Sequence, residues 1–260
     1  MGRRFGQHFL ASPSILERIA AAANPAEEPV DLIVEIGPGK GALTEHLLKR
    51  AQRIVAIEID PVMVHYLAHR FREQPRLTVL NQDVLKVDLG TFGPCTVVGN
   101  LPYYITSPIL DRVFASGDSW NSAVFLVQKE VAERVAAAPG SRDYGYLSVQ
   151  TQLFAKPEVL FQVSKTAFRP PPKVESAVFR LTPRTPPVSE VKSFLDFASA
   201  CFRHKRKTLR NNLLERYEKT AVDALPEAST RAEQLSIEQL ANIWRSLSNH
   251  HIATSHRDHE

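Results

Sequence analysis

Asn100-Leu101-Pro102-Tyr103, at the end of the apolar run Thr96-Val97-Val98, sets a carboxamide, a rigid turn and an aromatic ring within one short loop. That set suits chemistry on the exocyclic amine of a nucleobase. Such an amine is a weak nucleophile, because its lone pair is delocalised into the ring. The Asn100 side-chain oxygen and a backbone carbonyl beside Pro102 are two acceptors that can hold its hydrogens and free the lone pair. Tyr103 can stack on a base taken out of its helix. A strand-to-loop turn uses the same residue types, so on the tetrapeptide alone both readings stand.

A second constellation lies upstream. Gly37-x-Gly39-x-Gly41 follows the apolar run Asp31–Ile36, and Glu58 lies near the end of the next such run. The interval is close to the roughly 20 residues between glycine loop and ribose-binding carboxylate in dinucleotide folds. The full G-x-G-x-x-G fingerprint is not met, because position 42 is alanine. Glu35, directly ahead of the glycines, is a further departure. An acid ahead of GxGxG better suits S-adenosylmethionine (SAM), which has no pyrophosphate but carries a cationic aminoacyl group and a sulfonium. Asp83 ends the third strand, where it can accept from an adenine amine or cap a turn. Gln82 or Val84 can help hold the adenine ring. Glycine loop, Glu58, Asp83 and Asn100 each follow one of four successive strands, and in an open α/β sheet such strand ends line one crevice. The conjunction points to a SAM-dependent methyltransferase.

The elements that must position these residues follow from periodicity. Short continuous apolar runs at Asp31–Ile36, Arg53–Ile59, Leu77–Leu80, Thr96–Gly99 and Ala123–Val127 predict strands buried on both faces. Helices are expected between them, opened at Ser12-Pro13, Asp60-Pro61 and Ser107-Pro108. Tyr146 to Phe154 fits helix or strand, with helix preferred. Val159–Val163 and Ser176–Leu181 read as late strands forming an antiparallel edge. The expected fold is thus α/β: a Rossmann-like, mostly parallel sheet with a small all-helical C-terminal domain. Domain boundaries are placed at 1–184 and 185–250, with 251–260, including His251, His256 and His259, as a polar tail.

Composition narrows the class. At 260 residues and 43% hydrophobic, the chain can bury a sizeable core without disulfides or metal. Cys95 and Cys201 match no metal or redox spacing, and no apolar stretch is long enough for a signal peptide or membrane span. A cytoplasmic protein, monomeric by default and without a metal, is expected. The net charge of +4 is modest. Its distribution says more, because Arg203, Lys205, Arg206, Lys207 and Arg210 crowd together in a predicted helix, either as a footprint for phosphate backbone or as a solvated face.

With Gln7-His8-Phe9-Leu10, Glu35-Ile36-Gly37-Pro38-Gly39-Lys40-Gly41-Ala42-Leu43-Thr44 and Asn100 to Ile105 in place, the chain resembles the ribosomal RNA adenine N6-dimethyltransferases, most of all the bacterial small-subunit (KsgA-type) group. Gln128-Lys129-Glu130, Tyr144-Gly145, Phe168 to Ser176 and Arg206 to Asn211 extend the match over nearly the whole chain. The resemblance implies dimethylation of two adjacent adenosines in a hairpin loop near the 3′ end of 16S ribosomal RNA, with SAM as donor and a small-subunit precursor as substrate. It implies cofactor contacts from His8, Leu10, Glu35, Gly37, Gly39, Glu58, Ile59, Asp83, Val84 and Asn100. Asn100, Leu101, Pro102 and Tyr103 would handle the amine, with Phe168 a second aromatic on the target base or else a core residue. Histidine at position 8 departs from the asparagine frequent there. A resistance-type 23S enzyme, a small-molecule amine methyltransferase and a non-enzymatic assembly factor are the competing readings.

Overall fold

The structure, a computed structural model, describes residues 8–250 except the side chain of Tyr103. Gln7 and the histidines of the C-terminal tail lie outside the described residues. Strands β1 (Phe9–Leu10), β2 (Val30–Ile36), β3 (Ala51–Glu58), β4 (Leu77–Asn81), β5 (Cys95–Asn100), β6 (Trp120–Gln128), β7 (Ala155–Val163), β8 (Phe168–Arg169) and β9 (Ser176–Pro183) form two sheets. The larger has seven strands in the order β4-β3-β2-β5-β6-β9-β7. Neighbours from β4 to β6 pair in parallel, while β9 runs antiparallel to both β6 and β7. The antiparallel end expected of the two late strands is therefore present, with β9 inserted between β6 and β7. The apolar runs form strands because both faces are covered: Ile33, Val34, Ile54, Val97, Val98, Val124 and Phe125 are fully buried. Each such side chain is stabilised by about 1.5–3 kcal/mol through removal from water.

Helices Pro13–Ala23, Ala42–Leu47, Pro61–Arg70 and Thr106–Ala115 connect the strands. Asp60 caps its helix as expected, its carboxylate accepting from the Val62 N–H at 2.9 Å. Ser12 does not cap; its hydroxyl instead lies 3.2 Å from that of Ser14. Gly99 is required by the close approach of β5 to β2, since a Cβ there would sit 2.8 Å from the Ile36 carbonyl oxygen.

The chain divides into two compact units, Met1–Glu133 with Ala155–Pro183, and Arg134–Phe154 with Arg184–Glu260. The first unit ends at Pro183, and the segment 134–154 packs with the C-terminal helices rather than the sheet. Its apolar side chains decide this. Tyr144, Val149 and Leu153 join Phe194, Phe197, Leu213, Leu240 and Trp244 in one buried cluster. The ambiguous Tyr146–Phe154 is helical, and Val191–Cys201, Leu209–Leu213, Lys219–Asp223 and Ile237–Leu247 are further helices of that unit. Cys95 and Cys201 are buried free thiols, both pushed up in pKa by burial, Cys95 to about 11.

Candidate active site

The C-terminal ends of β2, β3, β4 and β5 adjoin in the sheet and carry the residues singled out above. Gly41 has a φ of +77° at the start of the helix Ala42–Leu47. A Cβ there would lie 2.4 Å from the Phe71 ring, so both backbone conformation and space demand glycine. Gly37 and Gly39 also have positive φ. Glu58 secures the loop from the next strand. Its Oε2 accepts the Gly39 N–H at 3.0 Å and its Oε1 the Asp60 N–H at 3.0 Å. A carboxylate offers about four acceptor sites, so two backbone donors leave capacity for a vicinal diol.

Glu35 is 1% exposed, and its Oε2 accepts the Thr44 hydroxyl at 2.6 Å. Burial, with the Glu58 charge adding to it, raises its pKa from 4.5 to about 7 against the opposing Thr44 hydrogen bond. Thr44, the last residue of the glycine-loop motif, thus braces the acid from the following helix. Two acids beneath one glycine loop repel a pyrophosphate and favour a cationic ligand. Because the folded state holds the Glu35 proton more tightly than the unfolded chain, that stabilisation is complete below pH 4.5 and disappears as pH rises through about 7. The shift corresponds to about 3 kcal/mol. Urea titrations should therefore show the parent losing stability from pH 5 to 8 and Glu35→Gln losing much less. Equal pH slopes would contradict the assignment.

After β4, the Asp83 carboxylate accepts the Leu85 N–H at 3.0 Å, realising the turn-cap alternative at the position expected for an adenine contact. Val84 behind it is buried, whereas Ile59, next to Glu58, is 50% exposed although strongly apolar. Asn100 ends β5, in register with Leu126 of β6. Its Nδ2 donates to the His8 carbonyl at 3.4 Å. Leu101 is buried and donates its N–H to the Leu126 carbonyl at 3.0 Å, which fixes the loop. Pro102 leads into the 3-10 turn Tyr103–Ile105; the Tyr103 side chain lies outside the described residues.

The His8–Leu10 segment reaches this loop through a feature not foreseen. β1 pairs antiparallel with β8, Phe9 opposite Arg169 and Leu10 opposite Phe168. The His8 ring donates from Nδ1 to the Pro170 carbonyl at 2.9 Å, the donor nitrogen following from the acceptor being a carbonyl. His8, Leu10, Asn100 and the Phe168–Pro170 turn are thus brought together. Phe168 is a correction to the paired-aromatic expectation: it is 1% exposed and belongs to the apolar cluster that includes Leu10, Val163 and Val178. It occupies the core position before the proline turn, with no free face for a base.

The basic cluster lies in the second unit, and apart from Arg210 it is not on a helix. Arg203, Lys205, Arg206 and Lys207 occupy turns and bends between Val191–Cys201 and Leu209–Leu213. All four are exposed. Arg203 pairs with Glu215, and Arg210, in the following helix, with Asp223 at 2.6 Å. Among the described residues no group of three or more His, Cys, Asp or Glu could hold a metal ion, and no helix is long and apolar enough to cross a membrane.

Comparison with known proteins gives a consistent result. The family model described as ribosomal RNA adenine dimethylase matches residues 1–249. The protein named ribosomal RNA small subunit methyltransferase A of Acidobacterium capsulatum is 44% identical, covering 94% of this chain and 90% of its own. Its namesake in Chlorobium chlorochromatii is 40% identical, over 93% and 92%. Among solved structures, a dimethyladenosine transferase from Plasmodium falciparum superposes with TM-score 0.76 at 26% identity, over 91% of this chain and 96% of that one. The 23S rRNA methyltransferase ErmE gives 0.73 at 27%, over 92% and 99%. The glycine loop, the strand-end acids and the Asn-Leu-Pro-Tyr turn sit within that matched span, and the chain belongs to the ribosomal RNA adenine dimethylase family.

Proposed function

We propose that this chain transfers methyl groups from SAM to the N6 amines of two adjacent adenosines in the 3′-terminal hairpin loop of 16S ribosomal RNA, two per adenosine, on a small-subunit precursor. The observation that carries the reading is the convergence of an amine-holding loop with an acid-lined glycine loop. Ile36 and Gly99, which immediately precede Gly37 and Asn100, are register partners on adjacent strands β2 and β5. The small-subunit target is supported by the names of the sequence relatives.

SAM supplies an electrophilic methyl on a sulfonium that is already a good leaving group. The protein's contribution is then mainly orientation and polarisation. Glu58 accepts from the ribose hydroxyls with its remaining lone pairs. Glu35, reached through the loop, answers the cationic methionine group. Gly37 and Gly39 let the backbone approach closely. Ile59, Asp83 and Val84 border the adenine of the cofactor, and His8 and Leu10 close the methionine end. Asn100 meets the cofactor edge and the target base. With Nδ2 committed to the His8 carbonyl, its Oδ1 accepts from the target amine, and the Leu101 carbonyl accepts the second hydrogen. Pro102 holds the turn and Tyr103 stacks on the base, while Phe168 packs behind the loop. The amine proton leaves to solvent after transfer. Arg203, Lys205, Arg206, Lys207 and Arg210 form the RNA-facing part of the helical unit, and the enzyme works as a cytoplasmic monomer.

Radiolabelled methyl transfer to small and large subunits lacking the modification, followed by mapping of the label, tests the whole reading. Dimethyladenosine at two neighbouring positions in 16S RNA is the expected result. Label in 23S RNA, the target in ErmE's name, or no label in RNA, would overturn it.

A further inference from the structure

We propose that Asn212 shapes residues 202–208 into a cradle already formed for an RNA sugar–phosphate backbone, presenting Arg206 and Lys207 to it. The proposal rests on the reading that the chain acts on ribosomal RNA, and concerns how the basic segment is made to bind.

The Asn212 side chain is 3% exposed, in the helix Leu209–Leu213. Its Oδ1 accepts the His204 N–H at 3.1 Å, while its Nδ2 donates to the Cys201 carbonyl at 2.9 Å and the His204 carbonyl at 3.3 Å. One amide thus satisfies both backbone groups of His204 and the end of the preceding helix. No ladder or continuing helix supplies those partners in this stretch. The remaining ties reinforce the turn. The Lys207 N–H donates to the His204 carbonyl at 2.9 Å, and Leu209 N–H to the Thr230 carbonyl at 2.7 Å. Thr208 caps the following helix.

Within this frame the charges divide. Arg203 is paired with Glu215 and Arg210 with Asp223. Lys205 Nζ donates to the Arg142 carbonyl at 2.5 Å. Arg206, inside the turn that His204 starts, and Lys207, which closes it, are both exposed. Like-charged side chains repel one another, so a flexible loop would splay them apart. A buried amide that fixes the backbone settles their spacing before RNA arrives. Ordering a residue on binding lowers affinity by about tenfold. Fixing one or two residues beforehand is therefore worth about tenfold or more.

The test measures binding to a synthetic hairpin of the 16S 3′-terminal sequence across a salt series. Arg206→Gln with Lys207→Gln should weaken binding and make the slope of log affinity against log salt shallower by about 0.7–0.9 per lost phosphate contact. Asn212→Ala should weaken binding about tenfold with the slope unchanged, because the same contacts re-form at an entropic cost. Trypsin should also cut it several-fold faster at the basic loop while the rest of the unit stays protected. Asn212→Asp, which keeps the acceptor and side-chain size but sets a carboxylate against the Cys201 and His204 carbonyls, should weaken binding at least as much as Asn212→Ala, and circular dichroism of both variants guards against gross misfolding. Parental affinity in both Asn212 variants, or a shallower salt slope in either, overturns the cradle. Unchanged binding in the Arg206/Lys207 variant would instead sink the RNA-surface reading itself.

Discussion

Asn100→Ala is expected to lower methyl transfer by about 10²–10³-fold at saturating SAM and RNA, the loss typical of removing one positioned polar group from a reacting centre. RNA and SAM affinities should change far less, because the role proposed for the side chain is to polarise the amine. The geometry adds a sharper control. Asn100 Nδ2 donates to the His8 carbonyl, which selects the orientation that aims oxygen at the substrate. Asn100→Asp retains an acceptor but loses that donor and sets a charge against the carbonyl. It should keep part of the activity and release more singly methylated adenosine, because a loosely held acceptor serves the bulkier second substrate worst. Mass spectrometry of digested RNA reads both quantities. Full turnover by the alanine variant would remove Asn100 from the chemistry.

Glu58→Ala carries the second large effect. Hydrogen bonds to charged groups contribute about 1.5–3 kcal/mol each, so losing two from a ribose should weaken SAM by about 10²–10⁴-fold. The same carboxylate braces the Gly39 and Asp60 amides, and its loss also loosens the loop. Glu58→Asp keeps the charge one methylene short and is expected to recover only part of the affinity. Calorimetry with SAM gives the binding constants, and a gel shift should show RNA binding intact. Parental SAM affinity in Glu58→Ala would break the assignment of the ribose contact.

Much of the candidate site is legible in the sequence because it sits at strand ends. Ile33-Val34, Ile54-Val55 and Val97-Val98 can be buried only between two layers, which forces a sheet. The glycines and acids after them then fall on one edge of it. What the sequence does not show depends on partners distant along the chain. A two-residue strand such as Phe9–Leu10 is too short to show any period, and only its pairing with Phe168–Arg169 makes it a strand. Tyr144, Val149 and Leu153 are apolar in any arrangement, and nothing local says that they join Phe194 and Trp244 instead of the sheet. The basic segment looked helical because its composition allows it. The buried Asn212 amide supplies the hydrogen bonds that a helix would otherwise have provided. Phe168 fits a stacking role by residue type, but burial assigns it to packing.

The short ribbon of β1 and β8 also has a consequence for synthesis. His8 and Pro170, which it brings together, stand 162 positions apart, a very non-local closure that slows assembly. At a translation rate of about 5–20 residues per second, the His8 segment waits roughly 8–30 seconds before its partner has even been made. In the later part of that interval the nascent chain already carries its glycine loop and Asn100, yet lacks the strand pairing that holds the His8 segment beside the Asn100 amide. The β1–β8 ribbon is thereby deferred until translation has passed Pro170.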